Sequence, residues 1–183
     1  MRLFAAVDPP AAEVTALSAT LGERDGRVRW VGEHQWHVTL AFYGEVPEAV
    51  VAGLQERLAR AAARTAPFSL RLAGGGSFPR QARRARQVWV GLDGDLPALH
   101  RLAERCVAVG RREGLDLPDR PYRPHLTLGR ARGDTVDATD LVTRLSSYAG
   151  AAWPVTSFRL VRSILGPSVA HSSLQEFALR SSS

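Results

Sequence analysis

Apolar residues along this chain fall into short strand-like runs separated by longer stretches of helical period. Leu3–Val7 is a compact apolar run of strand length. Pro9-Pro10 then opens a helix to about Leu21, because proline is tolerated in a first turn. Val28–Val31 and Trp36–Tyr43 read as strands around a turn at Gly32-Glu33. Behind Pro47, Val50, Val51, Leu54 and Leu58 recur at a helical period. Phe68–Leu72 alternates as a strand and is followed by the glycine run Gly74-Gly75-Gly76. Val88–Leu92 is another strand, and Leu96 to Arg112 a helix that stops before Gly114. His125–Leu128 reads as a strand, Asp137–Leu145 as a short helix, and Trp153–Leu165 and Leu174–Leu179 as the last strands. Ser181–Ser183 reads as a frayed tail.

Helices and strands alternate in pairs, with hairpin-like spacings between several strands. That pattern predicts an α+β fold with mostly antiparallel sheets rather than a doubly wound parallel sheet. No composition shift or long linker divides the 183 residues, so a single two-lobed domain over 1–183 is expected. At 45% hydrophobic residues the chain has ample material for a core. Its apolar runs are too short to span a bilayer. The N-terminal apolar stretch is too brief for a signal peptide, so a cytoplasmic location and no membrane partner are expected. The lone Cys106 sits at helical spacing with Leu99, Leu102 and Val109 and reads as a buried structural thiol.

Charge adds a weak hint about partners. The net charge of +6 comes from 24 arginines and no lysine. Every basic contact is therefore a guanidinium, which suits bidentate phosphate recognition. Arg80, Arg83, Arg84 and Arg86 form one charged segment, which fits either a track for an RNA backbone or a solvated loop.

The chemistry enters with an internal repeat. His37-Val38-Thr39-Leu40 recurs as His125-Leu126-Thr127-Leu128, 88 residues later and about half the chain away. On a strand, residues i and i+2 share a face, so His37 lies with Thr39 and His125 with Thr127. Val38, Leu40 and Phe42 are expected on the opposite, core face, together with Leu126 and Leu128. Two lobes related by a pseudo-twofold would bring two imidazoles and two hydroxyls together. One neutral imidazole can then accept a proton from water while one imidazolium donates to a leaving oxygen. Threonine hydroxyls can hold the nonbridging oxygens of a phosphate. No acidic cluster flanks either motif, and there is no His-x-His or cysteine pair, which points away from a metal site.

These motifs resemble those of the two-histidine phosphoesterase superfamily, and within it the bacterial RNA 2′,3′-cyclic phosphodiesterases, historically called 2′-5′ RNA ligases. Further matching pieces are Met1–Asp8, Arg29-Trp30, His37–Gly44, Gly76–Pro79, Val88–Gly91, Arg123–Arg130 and Ser163–Pro167. The resemblance implies a bilobal pseudo-twofold α+β fold, with two mostly antiparallel sheets flanking a central cleft and helices outside. It implies hydrolysis of a terminal 2′,3′-cyclic phosphate to a 2′-phosphate, without metal or other cofactor. Carried over by position, His37 is the proton donor and His125 the proton acceptor. Thr39 and Thr127 would hold phosphate oxygens, and Arg130 would bind the phosphate. The partners implied are RNA with a 2′,3′-cyclic phosphate end or cyclic nucleotides, acted on by a monomer.

One segment departs from the family pattern. After Gly166-Pro167 the family often carries a tyrosine, whereas this chain reads Ser168-Val-Ala-His171. Either His171 takes that place or the loop is reordered, and the favoured reading leaves His171 a loop residue without a catalytic role. His34 and His100 read as exposed and structural. Tyr122, Phe42 and Phe78 are candidates to stack on a base, although Phe42, like Trp30, Trp36, Trp89 and Trp153, reads as core. Two other functions share these features. One is a module that binds an RNA end or nucleotide without turnover, against which both intact motifs argue. The other is 2′-5′ RNA ligation, the reverse reaction, in which a hydroxyl must compete with roughly 55 M water.

Overall fold

The computed structural model describes residues 1–166 and 169–180, so the Ser181–Ser183 tail and the Pro167-Ser168 step lie outside the described residues. The strands are β1 (Arg2–Val7), β2 (Val28–Trp30), β3 (Val38–Glu45), β4 (Phe68–Phe78), β5 (Gln87–Gly94), β6 (Leu126–Ala131), β7 (Trp153–Val155), β8 (Ser157–Ile164) and β9 (Ala170–Ala178). The helices are α1 (Ala11–Leu21), α2 (Glu48–Ala63), α3 (Leu96–Arg112) and α4 (Thr139–Leu145). Helix α3 has the bounds its apolar period predicts. Asp95 caps it by accepting from the Ala98 amide at 3.0 Å.

Every strand pairing is antiparallel, in the order β7-β4-β5-β6-β3-β1-β8-β9, with β2 also on β6. The two sheets expected from the family are therefore halves of one continuous sheet. They meet at a single register pair, Val38 opposite Leu126. These two residues are themselves 88 positions apart, like the two histidines. An antiparallel pair between equivalent residues places a local twofold axis through that pair. In this register His37 looks across the seam to Thr127, and Thr39 to His125.

The sheet is strongly curled. Only Thr156 separates β7, at one end of the strand order, from β8 near the other. Six strand spacings of ~4.8 Å would hold them roughly 29 Å apart in a flat sheet. The expected strand Trp153–Leu165 is thus two strands serving opposite halves.

Matching bulges re-phase both motif strands. Ala5 and Ala6 of β1 pair with Ala41 and Thr39 of β3, which leaves Leu40 as an extra residue. Val88 and Trp89 of β5 pair with Gly129 and Thr127 of β6, which leaves Leu128 extra. Each bulge turns two successive residues toward the core and shifts the alternation beyond it. Phe42 consequently lies on the same face as Thr39 and is 45% exposed, not buried as strict alternation predicts. Arg130 is brought to the face of Thr127 in the same way.

The core lies on one side of the curled sheet. Leu3, Ala5, Val7, Val38, Leu40, Val88, Val90, Leu126 and Leu128 pack with Leu17 and Leu21 of α1, Leu54 and Leu58 of α2, and Leu99, Leu102 and Cys106 of α3. Burial pushes the Cys106 thiol up to about 12, so it is inert packing, as its spacing predicts. The other face carries a separate apolar patch, Phe4, Ala6 and Val161, and is otherwise open. The strand expected over Phe68–Leu72 does not stop at the glycine run, because β4 continues through it. A Cβ at Gly76 would stand 2.5 Å from Trp89 Cζ2, so the absent side chain makes room for the indole.

Two substitutions test this division of faces. Leu126 is fully buried at the seam, and Leu126→Ala should lower unfolding stability by about 2–5 kcal/mol. Phe42→Ala, on the open face, should change it by no more than about 0.5 kcal/mol. Denaturant titration of both variants gives the comparison.

Candidate active site

Both histidines stand immediately before their strands, His37 ahead of β3 and His125 ahead of β6. Each is fixed in the same manner. His37 Nδ1 lies 2.6 Å from the Gln35 carbonyl oxygen, and His125 Nδ1 lies 2.7 Å from that of Arg123. A carbonyl can only accept, so Nδ1 carries the hydrogen in both rings. Each Nε2 is then the atom free to take up or release a proton. Thr39 and Thr127 follow on the same face and are half-buried. Tyr122 ties the two halves together, its hydroxyl donating to the Thr39 carbonyl at 2.8 Å.

The surroundings of the two imidazoles differ. Phe4 stacks on His37 at 4.8 Å between centroids. His171 meets His37 edge-on at 5.4 Å. His171 is therefore not a loop residue. It lies on β9 opposite Ser163 and enters the site through that pairing. On the other side, Phe78 meets His125 edge-on at 5.1 Å, and Trp89 lies 6.1 Å away. A cavity of about 560 Å³ opens beside His125, with Trp89, His100, Tyr122, Arg80 and Arg123 in its wall. Trp89 and His100 are thus site-lining residues, where the sequence reads Trp89 as core and His100 as exposed and structural. Trp36 and Trp153 are buried as expected, and His34 is exposed.

Electrostatics act on both rings in the same direction. Burial, the largest influence, holds His37 below its ordinary value of 6.5. The Gln35 carbonyl and the Asp8 carboxylate push it back up, while Arg159 and His125 push it down. Asp8 is held by the Arg159 guanidinium, whose second nitrogen donates to Asp8 Oδ1 at 2.6 Å. Burial also lowers His125, opposed by the Arg123 carbonyl and reinforced by Arg130. Both rings therefore favour the neutral form, and the paired Asp8 and Arg159 beside His37 act on it in opposite directions.

Two more residues join the site, Arg29 from the family-matching Arg29-Trp30 pair and Gln87 without a sequence signal of its own. Arg29 of β2 stands directly opposite Arg130 of β6, and both are exposed. Like charges directly opposite one another are unfavourable across a ladder. A bound anion would relieve that repulsion. Gln87 of β5 stands opposite Arg130 on its other side and reaches both His125 and Thr127. Among the described residues, no three histidine, cysteine or carboxylate side chains gather as a metal cluster would need. No helix among them is long and apolar enough to cross a membrane.

Similarity to known proteins decides the family. Residues 6–166 match the sequence pattern of the 2′-5′ RNA ligase superfamily. The chain belongs to that superfamily, the two-histidine phosphoesterases. A relative from Archaeoglobus fulgidus, named RNA 2′,3′-cyclic phosphodiesterase, is 34% identical over 91% of this chain and 93% of its own. One of the same name from Thermus thermophilus is 36% identical over 98% and 91%. Among solved structures, one from Thermus thermophilus superposes with a TM-score of 0.82 at 33% identity, covering 98% of both chains. Escherichia coli LigT complexed with 3′-AMP gives 0.78 at 28% identity, again over 98% of each. The α+β architecture expected for the family is the one observed.

The lowered histidines link pH to stability. His37, His125 and His171 all favour the neutral form in the fold. Below 6.5 the unfolded chain binds their protons more readily, so stability is full above 6.5 and falls as pH drops through the folded values. Denaturant unfolding at pH 7.5 and pH 5 should show this loss. Replacing the three by glutamine should shrink it.

Proposed function

We propose that this family member hydrolyses RNA 2′,3′-cyclic phosphate ends to 2′-phosphates, with His37 as proton donor and His125 as proton acceptor. The twofold-related His/Thr quartet on the open face, each Nε2 free of a backbone partner, carries this reading. Water attacks phosphorus and gives its proton to His125 Nε2. The bond from phosphorus to the 3′ oxygen breaks, and His37 Nε2–H protonates the departing oxygen. The product has a 3′-hydroxyl and a 2′-phosphate.

The remaining groups stabilise charge. Thr39 and Thr127 hydroxyls donate to the nonbridging oxygens as negative charge builds on them. Arg130, with Arg29 beside it, neutralises the phosphate. The Arg130 guanidinium near His125 favours its neutral form and fits the role of base, whereas at His37 the Asp8 carboxylate is opposed by its own partner Arg159. A bound anionic substrate raises the proton affinity of both imidazoles, which helps His37 hold the proton it donates. The chemistry needs no metal in this scheme. The same reading takes the protein as a monomer, one two-lobed domain over residues 1–183, acting on RNA ends or cyclic nucleotides in the cytoplasm.

The test is hydrolysis of 2′,3′-cyclic nucleotides and of a cyclic-ended RNA in EDTA. Ring opening to a 2′-phosphate is expected, and His37→Ala and His125→Ala should each lower the rate at least about 100-fold. Full activity in either variant overturns the two-histidine mechanism. A 3′-phosphate product overturns the leaving-group assignment. Activity that appears only with added divalent metal overturns the metal-free scheme.

A further inference from the structure

We propose that Gln87 is a positioning residue that holds His125 in its proton-accepting state. This rests on the reading of His125 as the base. The pseudo-twofold singles the residue out. Phe4 of β1 stands opposite Phe42, and Gln87 of β5 stands opposite Arg130. Phe42 and Arg130 are 88 residues apart, as are the two histidines. Phe4 and Gln87 therefore occupy equivalent places beside equivalent imidazoles, and they differ in chemistry.

The phenyl ring of Phe4 packs flat against His37 and offers it no hydrogen bond. Gln87 instead offers an amide. Its Nε2 lies 3.2 Å from His125 Nε2 and 2.9 Å from Thr127 Oγ1. The NH₂ group has two hydrogens and can donate one to each. With His125 Nδ1–H directed at the Arg123 carbonyl, Nε2 carries a lone pair, and the Gln87 N–H stabilises the neutral ring that has it. The same amide fixes the ring plane and the Thr127 hydroxyl together, so the base and one phosphate-holding group move as a unit. Once His125 takes up a proton, its Nε2–H needs an acceptor. A half-turn of the amide presents Gln87 Oε1 in place of the NH₂ group, which accommodates the protonated ring without moving the backbone.

Charge around His125 leaves this role to an uncharged group. The titratable and charged residues facing it are Arg130 of β6, His37 across the seam, His100 of α3, and Arg80, Tyr122 and Arg123 from the flanking loops. None is a carboxylate. A glutamate at position 87 would be the first anion in this wall, and would accept from the imidazolium instead of donating to the imidazole.

Gln87→Glu therefore reverses the preference of His125 while keeping the side-chain length. Proton NMR titration of the histidine ring resonances in the free enzyme, combined with the pH profile of kcat/KM on a 2′,3′-cyclic nucleotide, reads the outcome. His125 should titrate about one pH unit higher or more in Gln87→Glu. The acidic limb of kcat/KM should move up with it, while His37 stays in place. Gln87→Met, which keeps the length and loses both hydrogen bonds, should lower kcat about 5–30-fold. An unmoved His125 titration in a folded Gln87→Glu protein overturns the proposal, as does wild-type kcat in Gln87→Met. If the His125 titration moves but the basic limb follows it, Gln87 still governs His125. In that case it is the assignment of His125 as base that fails.

Discussion

The antiparallel contact between Val38 and Leu126 is the constraint on which the rest of this molecule depends. Among the described residues it is the one register pair that joins the two halves of the sheet, and it joins equivalent residues. Because it lies on the local twofold, it sets the separation and facing of both His-x-Thr units at once. Both side chains are fully buried against the helix-covered face, so the seam is held by packing from behind. The catalytic face in front can then remain polar and open.

Twofold symmetry alone would make two identical imidazoles, and acid–base catalysis needs two different ones. The chain resolves this with first neighbours rather than with the motifs themselves. Backbone carbonyls fix the same tautomer in both rings. Around that common frame, His37 has Phe4, His171 and the Asp8–Arg159 pair, whereas His125 has Gln87, Phe78 and Arg130. The backbone is symmetric about the two rings, and their neighbours are not.

The arginine pair shows a related cost of function. Arg29 and Arg130 face each other across β2 and β6 with no carboxylate bridging them among the described residues. A ladder built only for stability would place an opposite charge there. The repulsion is tolerable because both groups are exposed and solvent screens them. The same exposure leaves both free for an anion that arrives with the substrate.

Local patterning determined a great deal by itself: the four helices, the strand character of both motif segments, the shared face of each His-x-Thr unit and the burial of Cys106. These follow from periods of two and 3.6, which act over a few residues and leave a direct trace in the sequence. Only the tertiary structure decided the rest. The bulges at Leu40 and Leu128 depend on the register of strands far apart in the chain, so alternation misplaced Phe42. The strand reading stops at Leu72, before the glycine run, but pairing with β5 carries β4 on to Phe78, with Trp89 of that strand filling the space beside Gly76. His100 and Gln87 have ordinary sequence surroundings, and the sequence marks Arg29 and His171 only by their place in the family pattern; all four reach the site because α3, β5, β2 and β9 are laid beside the motif strands. Long-range register and curl are properties of pairs of segments, and no single segment records them.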